Sequence, residues 1–241
     1  QASVKALEKS GYFARTCQSL CLSLVEPSSS GIISEYKRKS PSKGIINDKL
    51  SPAEVTSDYV KAGAAGLSVL TDEPFFGGTR KDFEEARVAN PFTPMLRKDF
   101  MVDEYQVVEA KSMGADVILL IAAALSPDEI KTLGTLARSL GMETLLEVHD
   151  EEELNRSLGD YISLVGVNNR NLKNFAEQNV EASKYLSDKI PSNFIKISES
   201  CISSASIIRE LKDYGYKGFL IGESFMKTDS PGEALRSFLA N

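Results

Sequence analysis

One histidine and three cysteines in 241 residues leave little material for a metal centre or a disulfide framework. Cys17, Cys21 and Cys201 show no CxxC spacing, and His149 stands without a ligand cluster. Reduced thiols in a cytosolic protein are therefore the expectation. No apolar run approaches the roughly 20 residues needed to span a bilayer, so no membrane partner is expected. The chain opens without Met, and its first residues do not read as a signal peptide. Excess positive charge is missing too: a formal net charge of −6 gives no reason to expect nucleic acid as a partner.

What is present suits one large globular domain. A hydrophobic share of 42% supplies a sizeable core, and 26% charged residues argue against disorder. Eight short apolar runs predict strands at 32–36, 65–70, 94–97, 116–121, 143–148, 163–167, 194–198 and 218–221. Most are near-continuous rather than alternating, as strands buried on both faces should be. Helix signals lie between them. Ser51-Pro52-Ala53-Glu54 and Ser126-Pro127-Asp128-Glu129 are N-cap, proline and carboxylate openings, and Gly63, Gly114, Gly141, Gly159 and Gly215 stand at helix ends. A spacing of about 20 to 34 residues is that of a βα unit. Eight units favour a closed parallel (β/α)₈ barrel in α/β class over an open sheet. The whole chain, 1–241, reads as this single domain. Residues 1–31 read as a helical extension, with helices over 3–11 and 13–25, followed by a linker.

Active sites of such barrels lie at the C-terminal ends of the strands. There the chain puts Glu35 and Lys37, two apart and so on one face, then Lys98, Glu147 and Asn168. Two cationic side chains and carboxylates from separate strand ends suit acid catalysis on an anionic substrate, and Lys37, Lys98 and Arg170 would make a basic pocket in an acidic protein. Each feature also has a plainer reading. Lys37-Arg38-Lys39 taken alone is a solvated turn, and a lone Lys98 or Glu147 is a salt bridge or helix cap. Four such strand ends together speak for a site. The loops after strands 7 and 8 commonly bind phosphate in this fold, which points to Ser200 and to the backbone N–H groups of Gly222 and Glu223. Phe75, Phe76 and Phe100 flank the cleft and could sandwich a planar ring, although loop packing explains Phe75 as well.

Glu35-x-Lys37-x-x-Ser40-Pro41-Ser42-x-Gly44, Ser68-Val69-Leu70-Thr71, Phe75-Phe76-Gly77-Gly78, Leu96-Arg97-Lys98-Asp99-Phe100, Leu146-Glu147-Val148-His149, Val167-Asn168-Asn169-Arg170-Asn171-Leu172 and Ser198-Glu199-Ser200 together resemble the indole-3-glycerol-phosphate synthase family. The resemblance runs from about residue 32 to the C-terminus. It implies a barrel of tryptophan biosynthesis that turns the phosphosugar 1-(2-carboxyphenylamino)-1-deoxyribulose 5-phosphate into indole-3-glycerol phosphate, carbon dioxide and water. It implies no metal or organic cofactor, and transient contact with neighbouring tryptophan-pathway enzymes.

By motif position, Lys98 would be the general acid and Glu147 the second proton-transfer group, serving ring closure or dehydration. Lys37 would pair with the substrate carboxylate, and Glu35 and Asn168 would orient hydroxyls and lysines. Ser40 belongs to the same substrate-binding motif. Arg170 and Glu199 would be outer or rim contacts. Phe76, Phe100 and Leu119 would hold the aromatic ring, and Ser200, Gly222 and Glu223 the phosphate. Two departures stand out. The family carries glycine where this chain has Cys201, which puts phosphate affinity in question. The family's N-terminal helix usually starts further upstream, so a shortened extension is expected. Two other functions stay open on the residues alone: a phosphosugar aldolase using Lys98 or Lys37 as a Schiff-base nucleophile, and a non-catalytic barrel that binds anionic metabolites or a partner protein.

Overall fold

The computed structural model describes residues 2–170 and 179–241. Eight parallel strands close into a barrel in sequence order: β1 Ile32–Tyr36, β2 Gly66–Leu70, β3 Met95–Lys98, β4 Val117–Ile121, β5 Glu143–Val148, β6 Leu164–Asn168, β7 Ile195–Glu199 and β8 Gly218–Ile221. The ring closes where Ile32 of β1 pairs with Phe219 of β8 and Ile33 with Gly66 of β2. All eight expected strands are present, shifted by at most a residue at either end. Several of the helices that follow open on a side-chain cap. Ser51, Asp103 and Ser126 each accept a backbone N–H at the start of Pro52–Lys61, Glu104–Met113 and Pro127–Ser139. Helices Arg80–Ala89 and Glu181–Leu186, which the reading above leaves out, complete the ring.

Side chains alternate between two cores. One face of each strand packs outward against the helices, as Tyr36, Val69, Met95, Leu146 and Phe219 do. The other face fills the barrel, with Ile33, Leu96, Val117, Leu119, Leu145, Leu164, Ile197 and Leu220. Continuing the inward face two residues at a time gives Glu35 and Lys37 from Ile33, Lys98 from Leu96, Glu147 and His149 from Leu145. Glu199 follows from Ile197 and Gly222 from Leu220 in the same way. Apolar inward positions near the strand starts thus give way to polar ones near the ends.

The bottom of the barrel is plugged by the N-terminal segment. Only Val4–Leu7 and Leu20–Val25 are helical, so the helices expected over 3–11 and 13–25 are cut short. For the second, two carboxylates at strand starts are the cause. Asp116 accepts the Gln18 N–H at 2.8 Å and the Arg15 guanidinium, and Glu143 accepts the N–H groups of Leu20 and Cys21. These anchors fix an extended entry before residue 20 and put a carboxylate at the positive end of the short helix. Cys17 consequently precedes the helix and does not share a face with Cys21. Leu20 and Leu24 enter the inner core, where Gly66 and Gly218 leave room: a Cβ on Gly66 would stand 2.6 Å from the Leu20 side chain. No helix among the described residues is long and apolar enough to cross a membrane.

Candidate active site

The strand ends and their loops enclose a cavity of about 590 Å³, within the range of small-molecule sites. Glu35, Lys37, Ser40, Phe76, Lys98, Phe100, Leu119, Glu147, Asn168, Arg170, Ser200, Gly222 and Glu223 all line it. Glu199 does not. It is fully buried beneath Lys98 rather than at the rim. Residues Asn171 and Leu172 of the sixth motif lie outside the described residues.

Charge pairing organises the floor. Lys98 Nζ lies 2.9 Å from Glu199 Oε2 and 3.5 Å from Glu35 Oε2, while Glu35 Oε1 holds Lys37 Nζ at 3.2 Å. Ser68 on β2 donates to Glu35 at 3.1 Å, a contact the sequence reading did not single out. Burial opposes every charge here, so each protonation state is set by the balance between burial and the neighbours. For Glu35, burial pushes upward, but Lys98 and Lys37 outweigh it and hold the carboxyl below its usual range. For Lys98, burial pushes downward, and Glu199, Glu35 and Glu147 outweigh it, so the ammonium is held above its usual range. Glu199 goes the other way: burial prevails over Lys98, with help from Glu147 and Glu35, and pushes it up to about 7. Its Oε1 atom has no hydrogen-bond partner among the described residues, in keeping with a carboxyl that resists ionisation. Gly166 is required beside it, because a Cβ there would stand 2.1 Å from that oxygen.

A lysine kept charged in this way is a proton donor. It is poorly suited to a Schiff-base mechanism, which needs the free amine.

Glu147 faces Lys98 across the mouth. Its Oε1 accepts from Asn168 Nδ2 at 3.2 Å and faces His149 Nε2 at 3.6 Å. His149 was read from the sequence only as too isolated to bind metal. The signal that could have found it is its position two residues beyond Glu147, on the inward face.

The end of the cavity expected to take phosphate is built by the last two loops. Gly222 caps the short helix Glu223–Met226 with no side-chain capping bond. It is glycine for want of space, since a Cβ would stand 2.8 Å from Glu35 Oε1. Ser200 and Cys201 both take left-handed backbone, φ 67° and 60°, the one pair of non-glycine residues among those described to do so. Buried Asn169 pins the turn by donating to the carbonyl oxygens of Glu199 and Ser200. Arg170 closes the rim, donating to Ser42 Oγ at 2.9 Å and lying 3.8 Å from Glu223.

An aromatic wall stands opposite. Asp72 caps the N–H groups of Phe75 and Phe76 in the single turn Glu73–Phe76, which Gly77 ends in left-handed conformation. Phe76 meets Phe100 at 6.3 Å between centroids, and Phe75 packs edge-on to Phe100 at 5.9 Å. Phe75 itself is more than half exposed and does not line the cavity.

The chain matches the family described as "Indole-3-glycerol phosphate synthase" over residues 1–238. Curated relatives bear the same name. The one from Bacteroides thetaiotaomicron is 49% identical over 214 residues, 88% of this chain and 80% of its own length. That from Chromobacterium violaceum is 49% identical over 210 residues, 87% and 78% of the two chains, and that from Burkholderia lata is 47% identical over 204 residues, 85% and 77%. Among solved structures, KGPDC from Streptococcus mutans is similar with a TM-score of 0.59 over 78% of this chain and 88% of that one. At 15% identity that likeness is one of fold.

Proposed function

The chain belongs to the indole-3-glycerol phosphate synthase family, a family of carboxy-lyases of tryptophan biosynthesis, and on that premise we propose how its own residues divide the reaction. The substrate is the phosphosugar 1-(2-carboxyphenylamino)-1-deoxyribulose 5-phosphate. Its aromatic ring lies against Phe76, Phe100 and Leu119. Its carboxylate pairs with Lys37, and its phosphate takes the N–H groups of Gly222 and Glu223 and the hydroxyl of Ser200. In the first step the ring carbon that bears the carboxylate attacks the sugar carbonyl, and the carbonyl oxygen takes a proton from Lys98. Carbon dioxide then leaves, and the electron pair of the broken carbon–carbon bond restores the aromatic ring. In the last step protonated Glu147 gives its proton to the hydroxyl, which departs as water, and the resulting carboxylate takes a proton from the adjacent methylene carbon and returns it to Lys98.

One observation carries this reading: an ammonium held charged at a strand end by buried carboxylates, aimed into a cavity with an aromatic wall on one side and the Ser200 and Gly222 loops on the other. Glu35 and Glu199 keep Lys98 protonated, and Asn168 orients Glu147. Lys98→Ala should lower kcat by at least about 10²-fold in an assay of indole fluorescence, since positioned proton transfer contributes roughly that much or more. Retention of more than about a tenth of kcat, a loss under about 1.4 kcal/mol, would remove Lys98 from the role of acid. A cytoplasmic setting and transient contact with neighbouring enzymes of the same pathway belong to the same reading. Three free thiols support the first.

A further inference from the structure

Beyond the mouth of β5, three side chains stand in line. Glu147 Oε1 faces His149 Nε2 at 3.6 Å, and His149 Nδ1 lies 3.2 Å from Glu153 Oε2. Glu153 is fixed for this purpose, because the same Oε2 accepts the backbone N–H of His149 at 2.7 Å. The helix Glu151–Ser157 holds it from below, with Asp150 accepting the Glu153 N–H at 2.8 Å. Glu147 is nearly buried, whereas the side chains of His149 and Glu153 are 15% and 14% exposed. The line therefore runs from solvent towards the buried carboxylate.

Helix capping alone accounts for Glu153 on the backbone N–H. It does not account for the imidazole. With Nδ1–H donated to Glu153, the neutral ring turns the Nε2 lone pair towards a carboxylate oxygen, which is repulsive unless a proton lies between them. Asn168 Nδ2–H already holds that same oxygen, so it cannot turn away without losing a bond.

The reaction requires such a proton. The departing oxygen leaves with two protons, and the methylene carbon returns one, so each turnover draws one more from solvent. The charge balance agrees: the substrate loses a carboxylate as neutral carbon dioxide and becomes less negative by one. Glu35 and Glu199 are poor carriers because both are buried and tied to lysines. His149 is the chain's one imidazole, the side chain whose ordinary pKa lies nearest neutrality.

We propose that His149, held by Glu153, is a positioning and proton-relay residue for Glu147: it takes a proton from water at Nε2 and passes it to Glu147 Oε1, from which it goes to the departing hydroxyl, and the ring returns to its neutral form. No bond of the substrate is made or broken in this step. The inference rests on Glu147 as the proton-transfer group.

The test measures kcat and KM of His149→Ala and His149→Gln, with and without free imidazole. His149→Ala should lose about 10²-fold in kcat, the lower end of what positioned proton transfer contributes, with KM moved less than about twofold. Imidazole should restore much of the loss in His149→Ala, where the cavity admits it, and little in His149→Gln. Unchanged kcat in both variants, or a loss in His149→Ala that imidazole leaves in place, would overturn the relay. Glu147→Gln separates the two readings. If it is inactive while His149→Ala is unimpaired, the relay alone falls; if Glu147→Gln stays active, the role of Glu147 falls first.

Discussion

Ser200 and Cys201 are the residues under most backbone strain in the described chain. Left-handed φ values of 67° and 60° bring the Cβ of an L-residue close to its own carbonyl, at about 1–2 kcal/mol each. The resemblance read from the sequence pointed to one of these positions, since it implies glycine where Cys201 stands. The structure explains why: the turn is imposed by Asn169, not chosen by the cysteine. Cys201→Gly should raise thermal stability by about 1 kcal/mol and tighten binding of inorganic phosphate, because glycine takes this φ freely. Phosphate titration and a melting curve read the two effects, and weaker phosphate binding by the variant would contradict the argument. Glu199 supports a second prediction at this scale. Its pKa in the folded chain is raised to about 7, so its contribution is fully present below the unfolded carboxylate range and is lost as pH rises through about 7. Glu199→Gln, which cannot ionise, should therefore gain stability relative to the parent between about pH 4.5 and 7. Parallel melting curves across that window would show no divergence if Glu199 were an ordinary carboxylate.

At the scale of elements, the short helix Leu20–Val25 acts as the stopper of the barrel. Two leucines enter the inner core, and Glu143 at the start of β5 holds the helix by its first N–H groups. Burial of Leu20 is nearly complete. Leu20→Ala should cost roughly 2–5 kcal/mol, the usual range for a buried leucine whose site cannot collapse. KM should stay unchanged, because the stopper sits at the opposite end from the cavity. Denaturant unfolding beside steady-state kinetics checks both halves, and a raised KM with stability intact would mean the segment reaches the active site. A related anchor lies nearby. Asp116 has no exposure and is held by Arg87, Arg15 and two backbone N–H groups. Periodicity gave no notice of either anchor, since both depend on residues about a hundred positions apart.

Taken whole, the molecule carries a net charge of −6, and Lys37, Lys98, Arg170 and Lys227 line the cavity at one end of its barrel. Glu35 and Glu199 are already paired with Lys37 and Lys98, and no group of three His, Cys, Asp or Glu suited to a metal occurs among the described residues. Dialysis against EDTA should leave kcat unchanged. Loss of activity restored by a divalent cation would show that an ion shares the work assigned to the lysines.

The sequence by itself determined the barrel, because eight apolar runs at βα spacing admit few other packings, and it determined the strand ends where Glu35, Lys98, Glu147 and Asn168 stand. The inward face was legible too, for whoever counts in twos from Ile33, Leu96 and Leu145. Only the tertiary structure decided which charges meet. The motif left Glu199 as either an outer or a rim contact, and the structure puts it under Lys98, off the cavity, because the inward side chains of β7 and β3 meet from opposite sides of the barrel. The same holds for Ser68 beside Glu35 and for the single turn that carries Phe75 and Phe76. The helix expected over 13–25 is cut short for a parallel reason: carboxylates at the starts of distant strands capture backbone N–H groups that a longer helix would have used. Local periodicity records which way a side chain points, whereas pairing and protonation depend on partners that only the closed barrel brings within 4 Å.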